Sequence, residues 1–526
     1  MTTLSEIESK LIEENKKLLL KLDQQIQLNH IQSQQVIEQS QLIQQLKEQV
    51  EYLTKKLFGF SSEKTKVDKN QLSLFEDPTL EESEMIPEIA EEIKYHRRKP
   101  TGRKAELTKN LPVEEVHYER HGEDCSCDHC GQEMKPMGQK VIREEVCFIP
   151  AKLYKKVHIS HTYACDCHDP LFESKPIRCA DVPKAPIQRS LASPSTLAWL
   201  FHQKFELSLP IYRQEKEWES YGLEVSRRTL ANWIITAAHD WLAPIYHDLA
   251  DELKNQEVLH ADETHYQILR RPDGKPATSE ARIWLVRTIK DAKHPVIYYH
   301  ADLTRARSVA VKLLDKFQGY LHCDGYSAYK SIPHTSLVGC WAHCRRKFQE
   351  VSAEHGKAKI GLDYCNQIFR IERELQGLPP EERQKQRQRR VRPIIEAFYT
   401  FLESFHTVKG KLRTAVTYAF NQKKELMTFL EDGRLEASNN LAEQAIKTVV
   451  IGRKNFLFST SVKGAEANTI AYSIIETAKA NGLNVYNYLT YLFEKLPNCE
   501  FQANPELLKD FLPWAKTIQE NCKGIY

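Results

Sequence analysis

The sequence predicts a multidomain α+β protein built around an α/β core. Three observations carry that expectation. At 526 residues the chain is too long for a single hydrophobic core. In its middle, three β-rich runs (Val258 to Leu269, Arg282 to Ile289, His294 to Asp302) precede a helix-like stretch, Ser308 to Phe317, and a fourth apolar run, Gly319 to Tyr329. Seven of the 13 cysteines fall between Cys125 and Cys179, which in a chain without export signals points to metal before disulfides.

Composition narrows the class further. Hydrophobic content of 41% and charged content of 28% suit a soluble globular chain. No run of eighteen apolar residues and no signal-peptide pattern is found, so the expected location is cytoplasmic, with no membrane partner. The formal charge of +3 conceals strong local imbalance. Acids dominate Glu76 to Glu92, and bases dominate Lys94 to Lys104 (KYHRRKPTGRK).

The elements follow in order. Residues 1–58 carry apolar positions at steps of three and four (Val36, Ile43, Leu46, Val50, Leu53, Leu57), with Asn29 extending one seam. This reads as a coiled coil and hence a homo-oligomer, at least a dimer. An amphipathic helix packed on its own domain is the plainer alternative, and Gln25, Gln32 and Gln39 weaken the seam. Residues 59–100 read as a linker, acidic then basic; the basic run is either solvated or an arm for the DNA backbone. Residues 101–184 form the expected zinc module. Cys127 and Cys130 give a C-x2-C knuckle closed by Gly131, and Cys165, Cys167 and His168 offer the second pair. The fourth ligand is Cys167 or His168, Cys125 could substitute, and the single zinc would be structural.

Residues 185–250 have helix-turn-helix grammar. A helix from about Tyr212 to Ser220, a turn at Gly222, an N-cap at Ser226 and a second helix from Arg227 are expected. Arg227, Arg228 and Asn232 would face phosphates and base edges.

The core spans residues 251–355 and 431–495. Asp262 lies inside the first β-rich run, where a carboxylate is costly unless something compensates its desolvation. Asp324 ends the fourth, and adjacent first and fourth strands would bring the two together. Facing carboxylates need cations, and hard ions such as Mg²⁺ take oxygen ligands. Two such ions, roughly 3.5–4 Å apart, can clamp both oxygens of a phosphoryl transfer. The best third acid is Glu443, on one helical face with Asn440 and Lys447, which would flank the phosphate. Arg453 and Lys454 follow in what reads as a loop suited to backbone contacts, and Glu436 is a rival third acid. Singly, each acid has an ordinary reading as a strand end, a turn or a solvated helical residue.

Taken together these motifs resemble the large transposase of the bacterial insertion-sequence sixty-six family. The resemblance runs through LFGFSSEK, RRKPTGRK, the CDHCG knuckle with YACDC, and LPIYRQEKEWESYGLEVSRRTLANW. It continues through LHADET, CDGYSAY, GCWAHCRRKF, SNNLAEQAIKTVVIGRKNFLFS and FLPWAK. It implies a DDE enzyme with a ribonuclease-H-like core, in which Asp262, Asp324 and Glu443 are the catalytic acids. Two Mg²⁺ or Mn²⁺ ions per site, double-stranded DNA at the element's ends and in the target, and small companion proteins are implied with it. The reaction implied is 3′-end cleavage followed by strand transfer. Residues 356–430 then read as a helical insertion whose basic EERQKQRQRRVR could reach flanking DNA, and residues 496–526 as a C-terminal tail.

Within GCWAHCRRKF, His343, Arg345, Arg346 and Lys347 could touch DNA near the site. Cys340, His343 and Cys344 suggest a second metal, but no complementary pair is in sight. Two departures stand out. The second knuckle is C-x-C-H rather than C-x2-C, and Gln444 and Lys447 stand where the family more often has Arg, so bidentate phosphate contact at Lys447 is lost. A non-catalytic DNA-binding regulator and a nuclease of the same fold without strand transfer are the rival readings.

Overall fold

The β-rich runs assemble into one mixed sheet. In the computed structural model, which describes residues 152–164, 177–271, 281–352, 356–405 and 409–524, its strands are β1 (Val258–His265), β2 (Arg282–Thr288), β3 (Ile297–Asp302), β4 (Gly319–His322) and β5 (Thr335–Val338). The spatial order is β3-β2-β1-β4-β5. The first three strands form an antiparallel meander, whereas β4 pairs parallel to β1 and β5 parallel to β4. The expected coiled coil, the linker with its basic arm, and Cys125, Cys127, Cys130, Cys165, Cys167 and His168 lie outside the described residues.

Two expected boundaries shift for identifiable reasons. The first β-rich run is broken at Tyr266, whose hydroxyl is held at 2.9 Å by Ser459 in a buried network. Beyond it, Ile268–Arg270 pairs in parallel with Ser459–Ser461. The helix after β3 covers only Arg307–Leu313, since the backbone leaves helical geometry at Leu314 (φ −108°, ψ 25°) and then turns through Lys316 at φ 67°.

Helices clothe the sheet. Before it come α1 (Pro194–Phe201), α2 (Ile211–Ser220), α3 (Arg227–Ala237) and α4 (Ala243–Lys254). The turn between α2 and α3 follows its sequence chemistry: Gly222 takes φ 86°, and the Ser226 hydroxyl caps α3 by accepting from Thr229 N at 3.3 Å. Leu230 and Ile234 of α3 are buried, Leu223 and Val225 half-buried, and Arg227, Arg228 and Asn232 exposed.

After the sheet, α5 (Arg307–Leu313) follows β3 and α6 (Trp341–Gln349) follows β5. The region expected as a helical insertion supplies α7 (Gly356–Glu374), α8 (Pro380–Gln386), α9 (Arg392–Glu403), α10 (Gly410–Asn421) and α11 (Lys423–Thr428). These pack with α6 around their own core of Trp341, Phe348, Ile368, Ile395, Phe398 and Phe429. Part of the basic run is spent there: Arg387 is buried, binding Glu372 at 2.6 Å and the carbonyls of Phe429 and Asp432 at 3.1 Å.

The chain then returns to the sheet with α12 (Asn440–Phe456), α13 (Val462–Ala480) and α14 (Val485–Lys495). Helix α13 lies against β3, where Ser473 and Thr477 hydroxyls accept from Tyr299 N (2.8 Å) and Ile297 N (3.0 Å). The residues expected as a tail join the same core through Phe501, Leu508, Phe511, Leu512 and Ile518, as do the buried residues of α1 to α4. Among the described residues, no helix is long and apolar enough to cross a membrane.

Candidate active site

Strand register creates the site. His260 on β1 pairs with His322 on β4, and each is followed two residues later by an acid, Asp262 and Asp324. Because the strands run parallel, both acids leave the same edge of the sheet side by side. The imidazoles stack face to face beneath them, 4.1 Å between centroids and 5° from parallel. Burial pushes His260 down to about 3 and His322 far below its ordinary value, so both rings are neutral. A neutral floor matters, since an imidazolium here would pair with the acids and occupy their charge.

Glu443 arrives from the first turn of α12, where the helix N-terminus favours a carboxylate. Asn439 fixes that turn. It stands at the N-cap position but makes no side-chain cap bond. Its amide instead donates to Ala261 O at 2.8 Å and accepts from His260 Nδ1 at 2.9 Å, while its backbone N–H meets Cys340 Sγ at 3.2 Å. One buried residue thus joins α12 and β1 through its side chain and the start of α6 through its backbone.

The electrostatics register the convergence. The Asp262 carboxyl is pushed up to about 8, first by burial and then by the negative charges of Glu263, Asp324 and Glu443. The charges of Asp324 and Glu443 therefore both reach Asp262. Glu436, the rival, sits among Arg287, Arg383 and Arg387 instead, and burial raises it to about 7. From α6, His343 Nδ1 and Arg346 Nη2 approach the two oxygens of Glu443 at 3.6 and 3.5 Å. Asp324 Oδ1 accepts from Tyr326 N at 2.8 Å, and Asp262 Oδ1 from Glu263 N at 2.8 Å.

The other expected contacts fare unequally. Asn440 and Lys447 share the half-buried face of α12 with Glu443, whose charge reaches Lys447. Arg345 is withdrawn from the surface: it is buried and donates to Asn366 Oδ1 at 2.7 Å, because its position on α6 faces α7. Lys347 lies over the Tyr418 ring at 5.0 Å. Arg453 and Lys454 occupy the last turn of α12 rather than a loop, with Arg453 bonded to His265 O and Lys454 exposed. Cys340 and His343 do cluster with an acid, but it is Glu443 rather than Cys344. The Cys340 thiol, pushed up to about 12 by burial, is protonated at neutral pH.

Three groups escaped sequence reasoning. Glu263, read there as a bystander to Asp262, is bound by Arg305 Nε at 3.0 Å and Tyr329 OH at 2.6 Å, which braces β1 against the segments after β3 and β4. Asn439 and the histidine pair are the others. The repeated H-x-D at 260–262 and 322–324 was a usable signal for the histidines; no local signal marks Asn439 or Glu263.

Asp262, Asp324 and Glu443 carry the oxygen donors that hard divalent cations take, although among the described residues the donor atoms that lie within 4.8 Å of one another are those of Cys340, His343 and Glu443. By fold and site, then, this is a mixed α/β protein with a carboxylate centre at the carboxyl edge of its sheet. The chain belongs to the IS66 transposase family, whose model (Transposase IS66 family) matches residues 189–467. Companion models match around it: the zinc-finger binding domain of transposase IS66 at 124–168, the IS66 C-terminal element at 473–514, and Transposase C of IS166 homeodomain at 45–116. Among curated relatives it is similar to uncharacterized protein y4jD of Sinorhizobium fredii, 29% identical over 93% of this chain and 98% of that one. It is also similar to y4qI of the same organism, 29% identical over 62% of this chain and 63% of that protein.

Proposed function

We propose that this chain is a DDE transposase that cuts the 3′ ends of its element and joins them to target DNA. The observation that carries the reading is the convergence of Asp262, Asp324 and Glu443, from two parallel strands and a helix N-terminus, in one electrostatic field. The strand order β3-β2-β1-β4-β5, with three antiparallel strands and two parallel to the first, supports a ribonuclease-H-like core. Family membership supports DNA as substrate and divalent cations and zinc as cofactors.

Asp262 on β1, Asp324 after β4 and Glu443 on α12 would together hold Mg²⁺ or Mn²⁺ ions, two per site. Such ions, when bound, neutralise the carboxylates, activate a water and stabilise a leaving 3′ oxygen. The chain's own residues prepare that state. The neutral histidine pair supports the acids without competing for them, Asn439 sets the depth of Glu443, and His343 with Arg346 lie against its carboxylate. Lys447 and Asn440 would flank the phosphate. The α2–α3 pair, through Arg227, Arg228 and Asn232, and the zinc module, through Cys127, Cys130, Cys165 and Cys167 or His168, would hold the ends. The N-terminal seam would pair protomers.

The test uses the full chain and DNA carrying the ends that flank its own gene, with Mg²⁺ or Mn²⁺. The expected result is metal-dependent 3′-end nicking and joined products, lost in Asp262→Asn, Asp324→Asn and Glu443→Gln. Binding of the ends without cleavage in either metal would sink the enzyme reading.

A further inference from the structure

Beyond the acids, β1 runs out into a feature that the reaction as described does not use. Between the end of α12 and the short strand Ser459–Ser461 the chain turns at Leu457, which takes a left-handed φ of 60° with ψ −53°. For a residue with a branched side chain that conformation is strained, and it persists only where the surroundings enforce it. They do so here. Leu457 N donates to Arg453 O at 2.8 Å and Ser459 N to Gln267 O at 2.9 Å. The Ser459 hydroxyl is locked in a buried network with Tyr266 and Asn468, each at 2.9 Å.

The turn thereby holds Leu457 at 60% and Phe458 at 40% exposure, a poor use of apolar surface for a solvated loop. Together with Leu269 they wall an open groove of about 500 Å³, rimmed by His265, Arg453 and Lys454. Apolar walls under a rim that carries the Arg453 and Lys454 charges match a ligand that is flat and apolar on one part and anionic on the next. His265 lies three residues past Asp262, roughly 10 Å along the strand, which is one or two nucleotides from a phosphate at the acids.

Resting on the transposase reading, we propose that this groove receives the base of a nucleotide unstacked beside the scissile phosphate. Phe458 stacks on that base, Leu457 fills the step it vacates, and Lys454 meets the neighbouring phosphate. Unstacking opens the duplex at the junction where the acids must reach the backbone.

The test pairs a binding readout with a rate. End duplexes carry 2-aminopurine at each position around the terminal junction in turn, and are bound by the full chain in Ca²⁺. Fluorescence is expected to rise severalfold at one position with the wild type and to stay at the duplex level with Phe458→Ala. In Mg²⁺, Phe458→Ala is expected to slow cleavage of intact duplex by about tenfold, the scale of one stacking contact. An abasic site at the responsive position should return that variant to near the wild-type rate, since the base no longer has to be extracted. No fluorescent response at any position in a wild type that cleaves would overturn the groove alone. So would a Phe458→Ala defect equal on intact and abasic DNA. A wild type that shows the response yet never cleaves would overturn the transposase reading and leave the groove standing; failure to bind the ends overturns both.

Discussion

Asn439 shows how much can hang on one side chain. Its amide satisfies a strand carbonyl and a buried imidazole at once. Asn439→Ala leaves both without partners and is expected to cost about 2–4 kcal/mol in urea unfolding, with cleavage falling at least about tenfold as Glu443 loses its seat. Glu436 makes a second prediction, in pH. Burial raises its carboxyl to about 7, so the folded state binds its proton more tightly than the unfolded chain. That contribution is fully present below the ordinary carboxylate range and is lost as pH rises through about 7. Between pH 4.5 and 8 the wild type should lose about 3 kcal/mol relative to Glu436→Gln, read from paired unfolding curves; equal pH dependence in the two proteins would refute this. Asp262 stood out in the sequence because a carboxylate inside an apolar run asks for an explanation. Asn439 and Glu263 were not, since their partners His260, Arg305 and Tyr329 are distant in sequence or belong to other elements.

At the scale of elements, the strands were legible from alternation and the α2–α3 turn from Gly222 and Ser226, because those signals are local. The break at Tyr266 was not: it depends on a network closed by Ser459 and Asn468, nearly two hundred residues later. Lys204, buried between the rings of Phe205 and Phe456 at 4.4 and 4.2 Å, donates to the same Asn468 at 2.9 Å. The end of α12 is therefore pinned by polar groups that have no water to fall back on. Asn468→Ala is expected to destabilise by about 3 kcal/mol in chemical denaturation, more than an exposed substitution on α12 such as Gln444→Ala. The assignment of Arg453 and Lys454 to a loop failed for a related reason. The pattern Asn-Phe-Leu-Phe at 455–458 gives no stop signal, and helix α12 ends where strain at Leu457 is imposed from outside.

For the whole molecule, the residues after 495 looked like a tail because their short 3₁₀ turns carry no periodicity. Packing makes them part of the core: Phe501, Leu508, Phe511, Leu512 and Ile518 are buried, and Trp514 stacks on His294 at 4.7 Å. Their burial is worth on the order of 10 kcal/mol, comparable with the net stability of a domain. Ending the chain at residue 495 should therefore yield protein without a cooperative calorimetric transition, where a dispensable tail would leave the transition in place. The sheet also has a consequence in time. Its two strand acids are synthesised early, the helical insertion comes next, and Glu443 follows only when that insertion is complete. A ribosome moving along this message exposes a half-built centre for the whole length of that insertion. A premature stop between Asp324 and Glu443 releases a fragment that has both strand acids and no third. The third acid joins the other two only once α12 has been made.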